Sequence, residues 1–480
     1  MRYVLPRLLL VGTAVFAGGM SATQSVAVQK TTVRIEDIGA FIEADLFQPD
    51  FLVGDSNYQA LTATSDGTIH FVVNTHNSNY GCRYYRFDPK TETMTLAGKL
   101  DEILGEPAET HIPQGKVHTP LIEHKGKVWF ATHTSFYRGD LPELDSGAKM
   151  PYGGGHFMNY DLQTEQFTDL AAVLPGEGII TMAMDKRNEI LYGLTWPSGI
   201  LVSYEIGRKQ LRCWGAVQGR GEWGCHPSEW DRICRTLGVA PSGEVYGSTM
   251  DGGIWKYDPW QPARVSYIEG LDLSRASLSQ SAEETMKGDF QNNWRAIAWN
   301  PATESFWGIL WETTVLFEFV PSANYIRSVA ELRPEAYRGM PRNPEISQLG
   351  FMLGPNNTIF YLAHGPAVQI ESRPAVQSGL YLITYDIDKG ALVNHGPIFS
   401  RDQRRVFFAE SIAIGLDDHI YTVAWVEVTD PLRRNAIAKA RAFGPAETAQ
   451  MVYEILLVRL PKWQEFTAAL SSRSATDNTP

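Results

Sequence analysis

Two histidines, two arginines and three tryptophans recur at equivalent places along this chain, and together they could move protons on an anionic sugar. A neutral imidazole takes or gives a proton near pH 7, so His118 and His133 can serve as base and acid. Arg235 and Arg295 carry permanent charge and can hold a carboxylate or sulfate through paired hydrogen bonds. Trp196, Trp311 and Trp425 can stack on the apolar faces of sugar rings. This set suits β-elimination on a uronate-containing polysaccharide. A cation neutralises the uronate carboxylate and stabilises the developing enolate, a base removes the C5 proton, and an acid protonates the leaving glycosidic oxygen.

Further candidates surround this set. His156 follows the glycine run 153–155 and is expected near the same face as His118 and His133, with Tyr137, Tyr192, Tyr246 and His364 as additional substrate contacts. Cys213, Cys225 and Cys234 fall close together and His226 adjoins one of them, whereas Cys82 stands apart. In an exported chain the plain expectation is a Cys225–Cys234 disulfide. The sharper alternative is a structural zinc held by the three thiolates and His226, although the spacing is not a standard finger pattern. The elimination chemistry itself requires no cofactor.

Such residues need a scaffold that brings distant positions together, and the chain repeats in a way that supplies one. QALTATSDGTIHFVVN from Gln59, HTPLIEHKGKVWFATH from His118 and TMAMDKRNEILYGLTW from Thr181 share a pattern of apolar strand, polar turn and second apolar strand. Copies from Arg235, Arg295, Gln348 and Glu410 bring the number to seven, at a spacing of about 60 residues. Most are followed by a second strand pair such as YYRFDPKTETMTLAG or FMNYDLQTEQFTDLA. Four strands repeated seven times predict an all-β, seven-bladed β-propeller, in which stacked sheets bury both faces of each blade. The segment 32–35 is expected to complete the last blade beside 455–460, with 466–470 as the alternative closing strand.

The register of the repeats predicts a ring. In a propeller the starts of the innermost strands and the ends of the second strands meet at one face. The starts are Gln59, His118, Thr181, Arg235, Arg295, Gln348 and Glu410, all polar; the ends are Asn74, His133, Trp196, Met250, Trp311, His364 and Trp425. A polar ring bordered by His and Trp fits a polar ligand, and equally fits the water-filled lining common to such channels.

Composition limits the partners. With 42 basic and 54 acidic residues among 480, the formal charge is −12, which argues against nucleic acid or an anionic membrane as a generic partner. Arg2 and Arg7 precede an apolar stretch and small residues, so residues 1–27 read as a secretory signal peptide, and a secreted or periplasmic location follows. No segment approaches the roughly 20 apolar residues that span a bilayer. The propeller is expected over 28–470 as one domain, acting as a monomer, with a polar tail over 471–480.

The blade-two run HTPLIEHKGKVWFATH, the following GGGHFMNYDL and GEGIITMAMDKRNEILYGLTWPSG resemble segments of the seven-bladed propeller polysaccharide lyases of the ulvan lyase type. That resemblance implies two histidines on one blade acting with a Tyr and with an Arg that neutralises the uronate. His118 and His133 match the paired histidines by place in the blade. Tyr137, Tyr192 or Tyr246 would stand for the Tyr and Arg235 or Arg295 for the Arg, since the next blade carries Thr181 and Trp196 at the equivalent rim positions. The expected activity is cleavage of an acidic, ulvan-like polysaccharide, sulfated or not, by a carbon–oxygen lyase. The alternative is a noncatalytic exported propeller that binds glycan or protein. A metal-dependent hydrolase or lactonase using the channel ranks lower, because it would want several carboxylates or Asn there and Glu410 is the sole carboxylate among the aligned strand starts.

Overall fold

The computed structural model describes residues 32–34, 40–135, 147, 149–223, 229–261, 265–276, 292–337, 347–370, 373, 375–376, 378–441 and 452–471. The signal peptide expected over 1–27 and all but the first residue of the 471–480 tail lie outside them. Sequence-consecutive strands lie side by side in antiparallel order. Blade 1 comprises Leu61–Ala63, Ile69–Val73, Arg83–Asp88 and Thr93–Lys99, and blade 2 comprises Ile122–His124, Lys127–Ala131, His156–Asp161 and Phe167–Ala172. Blades 3, 4 and 5 repeat this order over 178–216, 238–272 and 294–331, and blade 6 occupies 351–400.

Local chemistry sets each hairpin. In blade 1 the turn needs Gly67 at φ +90°, and the Asp66 carboxylate ties it by accepting from the Thr68 N–H at 2.9 Å and the Thr64 hydroxyl at 2.7 Å. The second strand, Ile69–Val73, is buried at every position, whereas the outermost strand, Thr93–Lys99, has no buried residue. A strand sandwiched between two neighbouring sheets is apolar on both faces; an edge strand is not.

The core is a closed series of clusters between blades. Tyr84 and Phe130 join blade 1 to blade 2, and Phe157 and Leu191 join blade 2 to blade 3. Tyr192, Trp255 and Phe306 run through blades 3 to 5, and Trp307 and Tyr361 link blade 5 to blade 6. Leu382 and Val426 link blade 6 to blade 7, and Phe87 and Tyr421 return to blade 1.

Blade 7 closes the ring with a strand other than the two expected. Its inner part comes from Val406–Ala409, Ala413–Ile414, His419–Glu427 and Tyr453–Lys462, and its outermost strand is Ile42–Phe47 from near the start of the chain. Asp45, Leu46 and Phe47 pair with Arg459, Val458 and Leu457. Residues 32–34 instead pair in parallel with Ala367–Gln369, and Trp463–Ser471 forms a helix. The apolar alternation of IEADLF, with Ile42 and Ala44 buried, favours this segment for the blade edge. No helix among the described residues is long and apolar enough to cross a membrane.

Candidate functional site

The loops entering blades 1 and 2 carry the most reactive arrangement. His118 precedes the innermost strand of blade 2 and His133 follows its second strand, which sets their ring centroids 5.2 Å apart. Tyr58 stacks on His118 at 3.5 Å, and Trp196 from blade 3 lies 5.4 Å from His133. Both ring nitrogens of His118 and Nε2 of His133 are buried, with no hydrogen-bond partner among the described residues. His133 Nδ1 accepts the Thr134 N–H at 2.7 Å, which leaves the ring proton on Nε2. Burial holds both imidazoles well below the usual histidine range, and the charges of Lys116, Arg235 and His76 act in the same sense. Both are therefore neutral at pH 7.

The arginines lie on the same ring but already have anionic partners. Arg235 Nη2 is 2.7 Å from Glu222 Oε1, and Glu222 also accepts the Trp196 indole N–H at 2.8 Å. Arg295 is paired with Glu410 of blade 7. Both guanidiniums stack over Trp311, at 5.4 Å for Arg235 and 4.4 Å for Arg295. The Gln59 amide donates to the Arg235 carbonyl at 2.8 Å and to that of His118 at 3.3 Å, so strand starts of blades 1, 2 and 4 meet at one level. Burial pushes the Glu410 carboxyl up against the opposing pull of Arg295 and Arg235. Arg235, Arg295 and both histidines are all less than one-tenth exposed.

Other expected site residues are engaged by partners of their own. His156 begins the third strand of blade 2, one strand outward, with Nδ1 2.9 Å from Asp169 and Nε2 3.6 Å from Glu106. Burial lowers its proton affinity, yet these two carboxylates outweigh it and raise the ring to about 9, so it is a structural cation and not a third member of the pair. Tyr192 and Tyr246 belong to the core between blades, packed on Tyr257 and on Phe306 with Phe319, because their strand positions face the neighbouring sheet. His364 contacts the Gln348 amide and Phe408, and Trp425 is stacked between Phe408 and Tyr453.

The cysteine expectations change as well. Cys234 is a buried free thiol that donates to the Thr236 carbonyl at 3.0 Å, so it forms no disulfide with Cys225. Cys213 is an exposed free thiol on the outermost strand of blade 3, paired with Val202, whereas Cys234 lies beside the axial Arg235. Among the described residues no group of three or more His, Cys, Asp or Glu could hold a metal ion. Tyr137, Cys225 and His226 lie outside the described residues.

The residues that sequence reasoning missed lie within two positions of those it found. Tyr58 precedes Gln59, Lys116 is two before His118, and His76 is two after Asn74. His76 Nδ1 is 2.9 Å from Asp55, and its Nε2 is 3.4 Å from the Tyr58 hydroxyl. The signal was the convergence rule itself, applied too narrowly to single positions. Glu222 had no such signal, since it lies in the connection between blades 3 and 4.

No protein-family model and no curated protein matches the chain. Among solved structures it is similar to a chain of the mitotic checkpoint complex, at 12% identity and TM-score 0.46 over 88% of this chain and 100% of that one. A Lactobacillus plantarum protein aligns at 12% identity and TM-score 0.48, over 82% and 99% of the two chains. A Bacteroides fragilis protein provisionally named a 6-phosphogluconolactonase aligns at 10% identity and TM-score 0.46, over 82% and 95%. These likenesses are of overall shape and bring no activity with them.

Proposed function

We propose that this chain is an exported polysaccharide lyase that cleaves an acidic, uronate-containing polysaccharide by β-elimination. The observation that carries the reading is the His118–His133 pair, neutral and facing, with three of its four ring nitrogens uncommitted. A neutral imidazole is the form that accepts a proton. In this mechanism His118 takes the C5 proton, the electron pair left at C5 forms the C4–C5 double bond, and the C4–O bond breaks. The imidazolium so formed returns its proton to the leaving oxygen. His133 offers Nε2–H to the developing negative charge, and Tyr58 fixes the His118 ring by stacking. Arg235 and Arg295, each with donors beyond those given to its own carboxylate, act on the uronate. The resemblance to ulvan lyases names the substrate class.

A second reading has its own observation. Both arginines are ion-paired and the ring is nearly closed to solvent, which suits a propeller that binds glycan or protein without cleaving it. Incubation with a panel of uronate polysaccharides, followed by ultraviolet absorbance of unsaturated products, separates the two. The lyase reading expects product formation that falls by at least about a hundredfold in His118→Ala and in His133→Ala with the circular dichroism spectrum unchanged. Glycan binding with no new double bond would support the noncatalytic propeller and overturn the lyase.

A further inference from the structure

A basic helix, Pro431–Ala440, flanks the site on the side of blade 7. Residues 431–441, PLRRNAIAKAR, hold Arg433, Arg434, Lys439 and Arg441 and no carboxylate, in a chain whose formal charge is −12. The Asp430 side chain caps the helix by accepting the Leu432 N–H at 3.0 Å, and Ile437 is its one buried residue. The helix joins the second and third strands of blade 7. The second, His419–Glu427, runs toward the end of the ring at which His133 and Trp196 close their own second strands, so the helix lies on the site face. Its C-terminal end docks there. Arg441 donates to the carbonyls of Tyr453 at 2.8 Å, of Leu52 at 3.3 Å and of Gly54. The Tyr453 hydroxyl donates to the Asp55 carbonyl at 3.0 Å, and Asp55 leads through His76 to Tyr58, which stacks on His118.

We propose that this helix and the arginines beside it form a second anion-binding surface, which holds the uncleaved length of the acidic polysaccharide while the histidine pair acts on one bond. The inference deepens the lyase reading and rests on it for the identity of the polymer. Two carboxylates beside the helix are each shared between two guanidiniums. Glu454 meets Arg404 at 2.7 Å and Arg433 at 3.0 Å, and Glu427 meets Arg405 at 3.0 Å and Arg373 at 3.3 Å. Asp402, 3.2 Å from Arg404, is a further anion. Positive charge thus stays in excess around the helix, and a polyanion is attracted there although the molecule as a whole is acidic. Arg434 and Lys439 are exposed. Leu432, Asn435 and Lys439, three and four residues apart, form one exposed stripe that offers an apolar contact to a sugar face, an amide to hydroxyls and a cation to a carboxylate or sulfate. Over a helix about 15 Å long these groups can meet successive residues of a polymer. An anionic membrane fits less well, because a single exposed leucine gives no apolar face to insert.

The test reads binding without turnover, by calorimetric titration of the full-length protein with polygalacturonate and with ulvan at low and at high salt. Arg434→Gln combined with Lys439→Gln is expected to weaken polymer binding by about tenfold and to flatten its salt dependence. Where cleavage is measurable, KM rises and kcat holds. Lys90→Gln combined with Lys186→Gln removes the same charge from exposed turns at the opposite end of blades 1 and 3, and is expected to change nothing. Should losing the Arg434 bond to the Val428 carbonyl disturb the helix, Lys439→Glu alone, with a similar expected loss, keeps the test. An unchanged affinity in the folded helix variant, an equal loss in the control, or wild-type protein that binds neither polymer, whether or not it adheres to phosphatidylglycerol vesicles, would overturn the proposal. Helix-dependent binding that yields no unsaturated product would remove the lyase reading and leave this surface standing; product formation with binding indifferent to the helix would do the reverse.

Discussion

At the scale of single residues, position within the ring decides whether a histidine is reactive. His118 and His133 have uncommitted nitrogens, while His156, equally prominent in the sequence, is tied between two carboxylates. Gly178 is part of this distinction, because a side chain there would overlap the His133 ring at Nδ1. Gly178→Ala is therefore expected to lower stability by about 1–3 kcal/mol and to displace His133, lowering any turnover as well. Denaturant unfolding and the His133 resonance check it; unchanged values for both would show that the ring has room to move.

Two other histidines predict opposite limbs of the pH–stability curve. Burial lowers His70, which bonds the Tyr84 hydroxyl at 3.1 Å, from 6.5 to about 4. Between these values the unfolded chain binds a proton that the folded one does not, so stability falls as pH drops from 6.5 to 4. His156 is raised from 6.5 to about 9, so its contribution is complete below 6.5 and is lost as pH climbs toward 9. Each effect is on the order of 3 kcal/mol. Unfolding free energies measured across pH should lose the acid limb's steepness in His70→Asn and the alkaline limb's in His156→Gln. Parallel curves for variant and wild type would contradict the assignment.

Among elements, the closing strand Ile42–Phe47 has the largest consequence, because it joins the start of the chain to blade 7. Ile42 packs with Leu380, Ile398 and Val458 in the core between blades 6 and 7, and Asp45 pairs with Arg459 and Arg401 at the rim. The apolar contact outweighs the exposed ion pairs. Ile42→Ala is expected to cost about 3 kcal/mol in denaturant unfolding, and Arg401→Ala less than about 1 kcal/mol. The reverse ranking would mean that charge, not burial, closes the ring.

The whole molecule adds a term that no single blade contains. Arg295 of blade 5 and Glu410 of blade 7 pair inside the ring, and Arg235 of blade 4 pairs with Glu222 of the connection before it. Removing one member of a buried pair leaves an uncompensated charge. Glu410→Gln is expected to destabilise by about 3–5 kcal/mol, whereas the double change Arg295→Met with Glu410→Leu costs much less. A thermodynamic cycle in which the double variant equals the sum of its single changes would show that the pair does not couple the two blades.

The repeat of apolar strands and polar turns determined the propeller on its own, since a four-strand unit recurring seven times at a near-constant spacing can bury both faces of each sheet only by stacking them around an axis. It also identified His118, His133, Arg235 and Arg295 as residues of one ring, because register alone fixes which end of a strand faces the axis. Tertiary structure decided the rest. Which strand closes blade 7 depends on a pairing between residues 45 and 459, too distant for local pattern to specify. The partners Glu222 and Glu410, the stacking of Tyr58 and the burial of Lys116 arise from side chains of different blades and connections meeting around the axis, where charge and solvation depend on every segment that approaches.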